Sequence, residues 1–433
     1  MKPSTGIDRV VIINDDAVGR GGAAAIALAS ARALRRYGVP VAYLSGSPEI
    51  DPDLAASGVA VAVLGGRHLL ERDRYAAAAL GLYDPATKAA LGRWIDEHDT
   101  PRTVYHLHNW HKVLSPSVFT ALRRVEARLL LSAHDYFLAC PNGGFFLYPR
   151  ERECGFTPNS IQCLTSACDR RHYGHKLWRA ARHSLRHRFL NLTRSRARVV
   201  AVHEAMVPLL SRGPIAPSRI SVIRNPVTPW HRTRVPAEQN RDIFFVGRLE
   251  ADKGPDLLAR AARRAGARLR LIGDGPLAAE IAREHPAAEL LGWRNRDEIA
   301  QLVADARVVV VPSRSRETFG LVALEALTSG IPVVVPPYSS LAGEIASHEF
   351  GLVCDPHDGT ALAAAIDRLA GDDGLVRDIS RNAFANARHL APTPAQWCDD
   401  LLELYADQLG SAGAPQAMSA TAREFAGLAG GGG

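Results

Sequence analysis

Short apolar runs rich in β-branched residues alternate with helical patterns along the chain. This alternation predicts parallel strands joined by helices, which is an α/β architecture. In the first half, the apolar runs lie at 10–14, 41–45, 59–64, 104–108, 129–133, 199–203 and 220–223. The series starts afresh at Ile243 and continues at 269–272, 308–311 and 331–335. We therefore expect two Rossmann-like, doubly wound domains that face each other across a cleft.

The length of the chain also favours two domains, because 433 residues exceed what one hydrophobic core usually supports. Pro226, Pro229 and Pro236 mark the linker between them. The expected units are a first domain at 1–228, a second domain at 229–392, a helix at 393–410 that crosses back to the first domain, and a tail at 411–433. The tail is rich in Ala and Gly, which is typical of disorder.

The most informative stretch runs from Val308 to Pro336. A buried strand is predicted at 308–311, and a polar loop leads from it to Glu317. Thr318 is predicted to cap a helix at 319–329. Glu317 would then lie beyond the carboxyl end of a strand, where open α/β sheets bind their ligands.

Glu325 stands among apolar residues of the same predicted helix. A carboxylate buried without a partner costs several kcal/mol or takes up a proton, and two sugar hydroxyls would satisfy it. The amides of Gly320 and Leu321 begin the helix, where N–H groups favour an anion such as phosphate. This unit could hold a sugar, a ribose and the phosphates between them. The alternative is that Glu325 lies on a solvated face and Glu317 is an ordinary loop acid.

Two cations follow the strand predicted at 243–246. Arg248 comes directly after Gly247, and Lys253 follows five residues later. Arg248 offers bidentate donors to phosphate oxygens and Lys253 a mobile point charge, so the pair suits a diphosphate. On these residues alone, an ordinary charged surface explains the pattern equally well.

Histidines and glycines mark the strand ends of the first domain. His108 and His134 each end a predicted strand, where a histidine can be a metal ligand, an acid/base group or a satisfied polar residue. Gly21 and Gly22 lie between the first strand and its helix, where glycines let the backbone approach a ligand closely. A purely structural turn is the alternative for this loop.

The two acids and their surroundings resemble a known family. Phe-Gly follows Glu317 by one residue, seven residues separate Glu317 from Glu325, and Gly-Ile-Pro-Val-Val begins at Gly330. This arrangement resembles the retaining glycosyltransferases of family 4, also called group 1, which have the GT-B fold. The resemblance covers most of residues 7–410 and is more specific in the second half.

The resemblance implies a reaction and a set of roles. A hexose would move from a UDP- or GDP-sugar to a saccharide or lipid-linked acceptor with its anomeric configuration retained, in exopolysaccharide or glycolipid synthesis. The implied catalytic residues are Glu317, His134, Lys253 and Arg248. The implied donor-binding residues are Glu325, Gly320, Leu321, Gly247, Gly273, Gly275, Trp293 and Arg294. The implied acceptor and phosphate loop contains Gly21, Gly22 and His108. The cations would replace a divalent metal, so no cofactor is expected for catalysis.

Four of the six cysteines fall in a loop-rich insertion at 140–168: Cys140, Cys154, Cys163 and Cys168. In a cytoplasmic protein such a cluster is more often metal-binding than disulfide-linked. The spacing lacks the paired Cys-x-x-Cys of common zinc ribbons. The sequence therefore leaves three interpretations of these cysteines: a structural zinc site, which it favours, reduced free thiols, and disulfides or redox activity.

The segment at 170–198 contains ten Arg and Lys residues and no acid. Trp178, Leu185, Phe189 and Leu192 approximate a helical apolar stripe. A basic amphipathic helix of this kind favours contact with an anionic membrane surface. A solvated basic face and a nucleic-acid patch are the alternatives, and we expect no nucleic-acid partner.

Composition adds limits on location and partners. No apolar run approaches the ~20 residues that cross a bilayer, and the N-terminus lacks the apolar core of a signal peptide. We therefore expect a cytoplasmic protein that works at the inner membrane face. The net charge of +7 favours acidic partners such as nucleotide sugars and anionic lipid.

Two other classes of function remain as rivals. A nucleotide-sugar epimerase of related fold would convert the donor without an acceptor. A non-catalytic basic protein that binds membrane or nucleic acid would need no set of cations and acids at the strand ends.

Overall fold

The computed structural model of the protein describes residues 6–19 and 21–413. Its strands, in chain order, are β1 (Arg9–Asn14), β2 (Val41–Ser45), β3 (Ala60–Val63), β4 (Thr103–Leu107), β5 (Leu129–Ala133), β6 (Phe146–Leu147), β7 (Arg152–Glu153), β8 (Arg198–Ala201), β9 (Ile220–Val222), β10 (Asp242–Val246), β11 (Leu269–Ile272), β12 (Glu289–Leu290), β13 (Ala306–Val310), β14 (Val333–Val335) and β15 (Gly351–Val353).

Its α-helices are α1 (Gly22–Arg36), α2 (Pro52–Ala56), α3 (Arg74–Leu82), α4 (Pro85–His98), α5 (Val118–Leu122), α6 (Ile161–Thr165), α7 (Tyr173–Phe189), α8 (Val207–Leu210), α9 (Pro255–Arg264), α10 (Ala278–Glu284), α11 (Arg296–Val303), α12 (Leu321–Leu327), α13 (Ala342–Ser347), α14 (Gly359–Gly371), α15 (Asp373–Asn386) and α16 (Pro394–Gly413). Within the described residues, no helix is long and apolar enough to cross a membrane.

Two parallel sheets organise the described chain. The first has the strand order β3-β2-β1-β4-β5-β8-β9, and the second has the order β12-β11-β10-β13-β14-β15. Apolar clusters pack on both faces of the sheets, which explains why most strands read as continuous apolar runs. The predicted α/β class with two doubly wound sheets is confirmed.

The strand order fixes where a ligand can bind. In the first sheet the chain leaves β1 toward β2 and later returns to β4 on the other side of β1. The second sheet repeats this at β10, which lies between β11 and β13. At such a switch point the loops after neighbouring strands diverge and leave a crevice at their carboxyl ends.

The last helix, α16, packs against the first sheet although it follows the second. Trp397, Leu401 and Tyr405 lie in the same apolar cluster as residues of β1. The Tyr405 hydroxyl lies 2.7 Å from Nδ1 of His106 in β4. The helix ends at Gly413, a little beyond the expected residue 410, and the rest of the expected tail lies outside the described residues.

The helix expected at 319–329 is shorter than predicted, and its cap was wrong. It spans seven residues, and its N-cap is Gly320 rather than Thr318. Gly320 has a φ of +80°, a left-handed conformation that glycine adopts without steric cost. Thr318 instead donates from its hydroxyl to the carbonyl oxygen of His134, 2.8 Å away on the first domain. The Thr318 hydroxyl, which was expected to cap the helix, therefore makes its hydrogen bond across the cleft instead.

Candidate active site

A cavity of about 1200 Å³ lies between the two domains, at the carboxyl ends of both sheets. Four residues predicted from the sequence line it together: His134 from the first domain, and Arg248, Lys253 and Glu317 from the second. The loops after β5, β10 and β13 carry these side chains, so the order of the strands brings them to one place.

Lys253 and Glu317 form an ion pair inside this cavity. The Lys253 ammonium lies 2.6 Å from Glu317 Oε1, which also accepts a hydrogen bond from the Ser313 hydroxyl at 2.5 Å. Burial alone would raise the pKa of Glu317, but Lys253 and the two hydrogen bonds hold it below its usual value. Burial likewise lowers the pKa of Lys253, and Glu317 more than reverses that shift. The pair is therefore charged at neutral pH.

Arg248 lines the same cavity but forms its ion pair with Glu250. Its guanidinium lies 2.5 Å from Glu250, and its side chain is 52% exposed. An exposed local ion pair of this kind is weak and easily exchanged. Arg248 is therefore free to turn its donors toward an anion that enters the cavity.

Glu325 has a partner that the sequence did not reveal. Arg296, on α11, lies 2.5 Å from Glu325 Oε1, and the Glu325 side chain is 16% exposed. Burial raises the pKa of Glu325, and Arg296 offsets only part of that rise. The sequence indicates few local partners for Glu325, and the partner that the structure shows is 29 positions away in the chain.

His134, which is half-buried, belongs to a row of three histidines with the buried His108 and His106. Its Nε2 lies 2.9 Å from Nδ1 of His108, whose ring lies 4.3 Å from that of His106. Burial lowers the pKa of His134 to about 4 and that of His106 to about 3. These imidazoles are therefore neutral at pH 7. His108 Nε2 is buried without a hydrogen-bond partner.

Two of the predicted glycines, Gly273 and Gly275, allow close backbone packing. A Cβ on Gly273 would lie 1.9 Å from the carbonyl oxygen of Gly247, so the loops after β10 and β11 touch through their backbones. A Cβ on Gly22, at the start of α1, would lie 3.6 Å from Leu321 at the start of α12. The glycine loop of the first domain and the start of α12 thus face each other.

The remaining predicted donor residues lie on the second domain. A Cβ on Gly275 would lie 2.5 Å from the carbonyl oxygen of Leu249. Trp293 is 68% exposed, and its backbone N–H donates to the Asp274 carboxylate at 2.9 Å. Arg294 donates to the carbonyl oxygen of Trp293 at 3.0 Å. Gly21 is the N-cap of α1 on the first domain.

The cysteine-containing insertion bridges the two domains, which the sequence did not predict. Glu151 lies 3.6 Å from Arg314 and 2.9 Å from His357, while Glu153 pairs with Arg316. The hairpin of β6 and β7 thus reaches the loop that carries Glu317. An acid-bearing hairpin in the insertion was the signal that could have indicated this contact.

The four insertion cysteines line one small cavity, which also receives Lys176. All four thiols are free. Within the described chain, no group of three or more His, Cys, Asp or Glu side chains is arranged to hold a metal ion. Burial raises the pKa of the Cys140 thiol, and nearby backbone N–H groups offset only part of that rise.

The basic helix α7 is oriented differently from the prediction. Lys176, Arg182 and Arg186 are its buried cations, and each donates to backbone carbonyls of neighbouring segments. Tyr173 and Leu177 are 43% and 42% exposed. The predicted apolar stripe packs inward instead: Trp178 lines the large cavity, Phe189 packs against the core, and Leu192 is buried beyond the end of α7.

The inward face of α7 was missed by the sequence analysis. His175, Trp178, Arg179 and Arg182 line the large cavity. Their spacing of three, four and seven residues places them on one helix face. That spacing was visible in the sequence, but the direction in which the face points was not.

Comparison with known proteins identifies relatives of both domains. The family model described as Glycosyl transferases group 1 matches residues 228–386, and the model described as Glycosyltransferase Family 4 matches residues 20–230. A D-inositol 3-phosphate glycosyltransferase from Acidothermus cellulolyticus is 36% identical over 165 residues, which are 34% of this chain and 36% of that protein. This chain spans between 20% and 50% of the length of the curated relatives compared.

Solved structures resemble nearly the whole chain. Sucrose-phosphate synthase from Thermosynechococcus elongatus has a TM-score of 0.69 at 18% identity, covering 93% of this chain and 100% of that one. Anabaena HepE in complex with UDP has a TM-score of 0.62 at 18% identity, covering 92% of this chain and 100% of that one. Likeness at this level of identity establishes the fold.

Proposed function

Because this chain belongs to the group 1 glycosyltransferases of family 4, whose fold is GT-B, we propose that it moves a hexose from a nucleotide diphosphate sugar to a saccharide or lipid-linked acceptor. The observation that carries this proposal is the Lys253–Glu317 pair at 2.6 Å, with Arg248 on the same cavity wall and His134 on the opposite one. A cation pair suits the diphosphate, and an acid beside it suits the sugar hydroxyls.

The proposed mechanism assigns the negative charge of the leaving group to the second domain. Lys253 and Arg248 stabilise the charge that develops on the diphosphate as the glycosidic bond breaks, and the amides of Gly320 and Leu321 support them. Fixed cations in a cleft that excludes water act more strongly than cations in solution. No metal ion and no protein nucleophile is assigned to this step, and the anomeric configuration is retained.

The acids and the histidine position the substrate in this proposal. Glu317 accepts hydrogen bonds from hydroxyls of the transferred sugar, and Glu325 accepts them from the ribose diol. His134, as a neutral imidazole, orients the sugar from the first domain. Trp293 and Arg294 flank the base, which is uracil or guanine.

The acceptor and the pathway are the finer part of the proposal. Among the relatives, one is described as an exopolysaccharide phosphotransferase from Streptomyces coelicolor and several as D-inositol 3-phosphate glycosyltransferases. These descriptions support a role in the synthesis of an exopolysaccharide or a glycolipid.

A thermal-shift screen of UDP- and GDP-sugars tests the donor. We expect one nucleotide to raise Tm and its sugar to be transferred from labelled donor to saccharide acceptors, with retention seen by proton NMR of the product. Conversion of the donor alone, without an acceptor, would favour the epimerase. Absence of binding to every nucleotide sugar would contradict the proposal.

We also propose that the protein works in the cytoplasm at the inner membrane face. The support is a set of exposed apolar side chains on α3, α7 and the segment before α3: Leu70, Tyr75, Tyr173 and Leu177. Co-sedimentation with vesicles of phosphatidylethanolamine and phosphatidylglycerol tests this. The Leu70→Ser and Tyr75→Ser double variant should stay in the supernatant, while Val353→Ser, which changes an exposed side chain of the second domain, should sediment like the wild type.

A further inference from the structure

Charge is distributed unequally over the two walls of the large cavity. The wall built by the second domain carries three Arg or Lys side chains and three acids. The wall built by the first domain carries seven Arg or Lys side chains and two acids, Asp135 and Asp169. All of the excess positive charge among the described lining residues is therefore on the first-domain wall, opposite the side proposed for the donor diphosphate.

Three of the seven first-domain cations have a carboxylate within 4.0 Å: Arg72, Arg170 and Arg179. The other four have no such partner in the described part of the chain: Arg74, Lys112, Arg171 and Arg182. We call these four residues the basic subsite. Asp169 is shared by His175 and Arg179, and Asp135 lies 3.7 Å from His111 and compensates part of the charge of Lys112, so these two acids leave most of the positive charge of the basic subsite in place.

Arg182 fixes one end of the basic subsite. Its side chain is 6% exposed, and its guanidinium donates to the carbonyl oxygens of Gly81, His111 and Leu114 at 2.7–2.9 Å. It also lies 5.3 Å from the ring of Trp178. These hydrogen-bond partners are neutral, and the buried Asp15 carboxylate offsets only part of the positive charge of Arg182 at the cavity wall.

The loop that carries Lys112 is held equally firmly. The buried carboxylate of Asp15 accepts hydrogen bonds from four successive backbone N–H groups, those of residues 111–114, at 2.8–3.0 Å. Lys112 is therefore presented to the cavity by a fixed backbone, and Arg182 binds the same loop through the carbonyl oxygen of His111. The Arg182 side chain and the backbone of Lys112 are thus held in place without a substrate.

We propose that the acceptor is a saccharide that carries a phosphate or pyrophosphate group, and that the basic subsite binds this group. This inference rests on the proposed transferase function and specifies its second substrate. Planar guanidinium groups match phosphate oxygens, and an ammonium adds a point charge. A neutral acceptor would leave four cations facing a cleft from which water is expelled.

Calorimetry with inorganic pyrophosphate tests the subsite on the full chain saturated with UDP or GDP, which occupies the donor side. The wild type should bind one further equivalent. The Arg74→Gln and Arg171→Gln double variant should bind it about 100-fold more weakly, at about tenfold for each guanidinium. Arg188→Gln is the matched control, since Arg188 is an exposed arginine of α7 outside the cavity lining and its replacement should leave this affinity unchanged.

The outcomes separate the subsite from the donor site. Binding of the nucleoside diphosphate without a second equivalent of pyrophosphate overturns the subsite and leaves the transferase proposal standing. Failure to bind either nucleoside diphosphate counts against the transferase proposal instead. Equal loss of affinity in Arg188→Gln would reveal only general attraction of anions and would also overturn the subsite.

A matched acceptor series distinguishes the source of the phosphate. Each saccharide is offered as methyl glycoside, as 1-phosphate and as polyprenyl pyrophosphate, with the donor found by thermal shift. We expect kcat/KM to be at least about 100-fold higher for a phosphorylated form than for the glycoside. Preference for the 1-phosphate indicates a soluble acceptor, and preference for the polyprenyl form indicates a lipid-linked one. Equal use of the glycoside contradicts the proposal.

Discussion

Replacing Lys253 by alanine separates its effect on stability from its effect on the reaction. The ion pair with Glu317 is only partly exposed, at 31% for Lys253 and 18% for Glu317. Exposed pairs contribute about 0–1 kcal/mol, and breaking a fully buried pair costs about 3–5 kcal/mol. We therefore expect Lys253→Ala to lower the free energy of unfolding by about 2 kcal/mol, which leaves a folded protein.

The pH dependence of this loss has a definite sign. The pKa of Glu317 is lowered in the folded state, so the pair stabilises the protein above the ordinary pKa of a glutamate, and this contribution is lost as the pH falls through the folded pKa. In Lys253→Ala, burial remains without the cation, so the pKa of Glu317 rises. The difference in unfolding free energy between wild type and variant, measured in urea, should shrink from pH 7 toward pH 4.

The loss of activity should be much larger than the loss of stability. Removing one group that stabilises charge in a transition state lowers kcat by about 10²–10³-fold. Turnover of the labelled donor measures this loss. Lys88→Ala, on α4 and outside the cavity lining, is the matched control. Wild-type turnover by Lys253→Ala or by Glu317→Ala would refute the reasoning.

Three further predictions follow from other contacts. Glu325→Gln should weaken donor binding about tenfold in calorimetry because a neutral amide accepts ribose hydroxyl bonds less strongly; unchanged affinity would remove Glu325 from the site. Gly320→Ala should cost about 1–2 kcal/mol in urea unfolding because its φ is +80°, whereas Gly343→Ala, where a Cβ meets nothing within 4 Å, should not destabilise. The proposal that the four insertion cysteines bind zinc rests on the sequence alone, because their described arrangement is not that of a metal site; metal analysis of the purified protein should find about one zinc per chain, and finding none, with Cys→Ser variants harmless, would exclude it.

The architecture could be predicted from the sequence because buried parallel strands appear in it as continuous apolar runs. Continuous apolar runs predicted most of the longer strands of both sheets, and the restart at Ile243 predicted two domains. The short strands β12 and β15 left no such record. The helix after Glu317 was overextended because Ser329 and Thr328 are compatible with a helix in sequence, although α12 ends at Leu327.

The site could be predicted where its residues follow the carboxyl ends of predicted strands. Lys253, Glu317 and Arg248 each follow a strand end, so they meet wherever the strands are neighbours. The partner of Glu325 and the bridge from Glu153 to Arg316 depend on how separate elements pack. The direction of the basic helix depended on carbonyl groups that no sequence pattern displays.

A crystal structure with the bound nucleotide sugar tests the central claim most directly. We predict that the diphosphate lies between the Arg248 guanidinium, the Lys253 ammonium and the amide of Leu321, with the sugar between Glu317 and His134. A nucleotide bound on another surface, or a diphosphate that touches neither cation, would contradict this account.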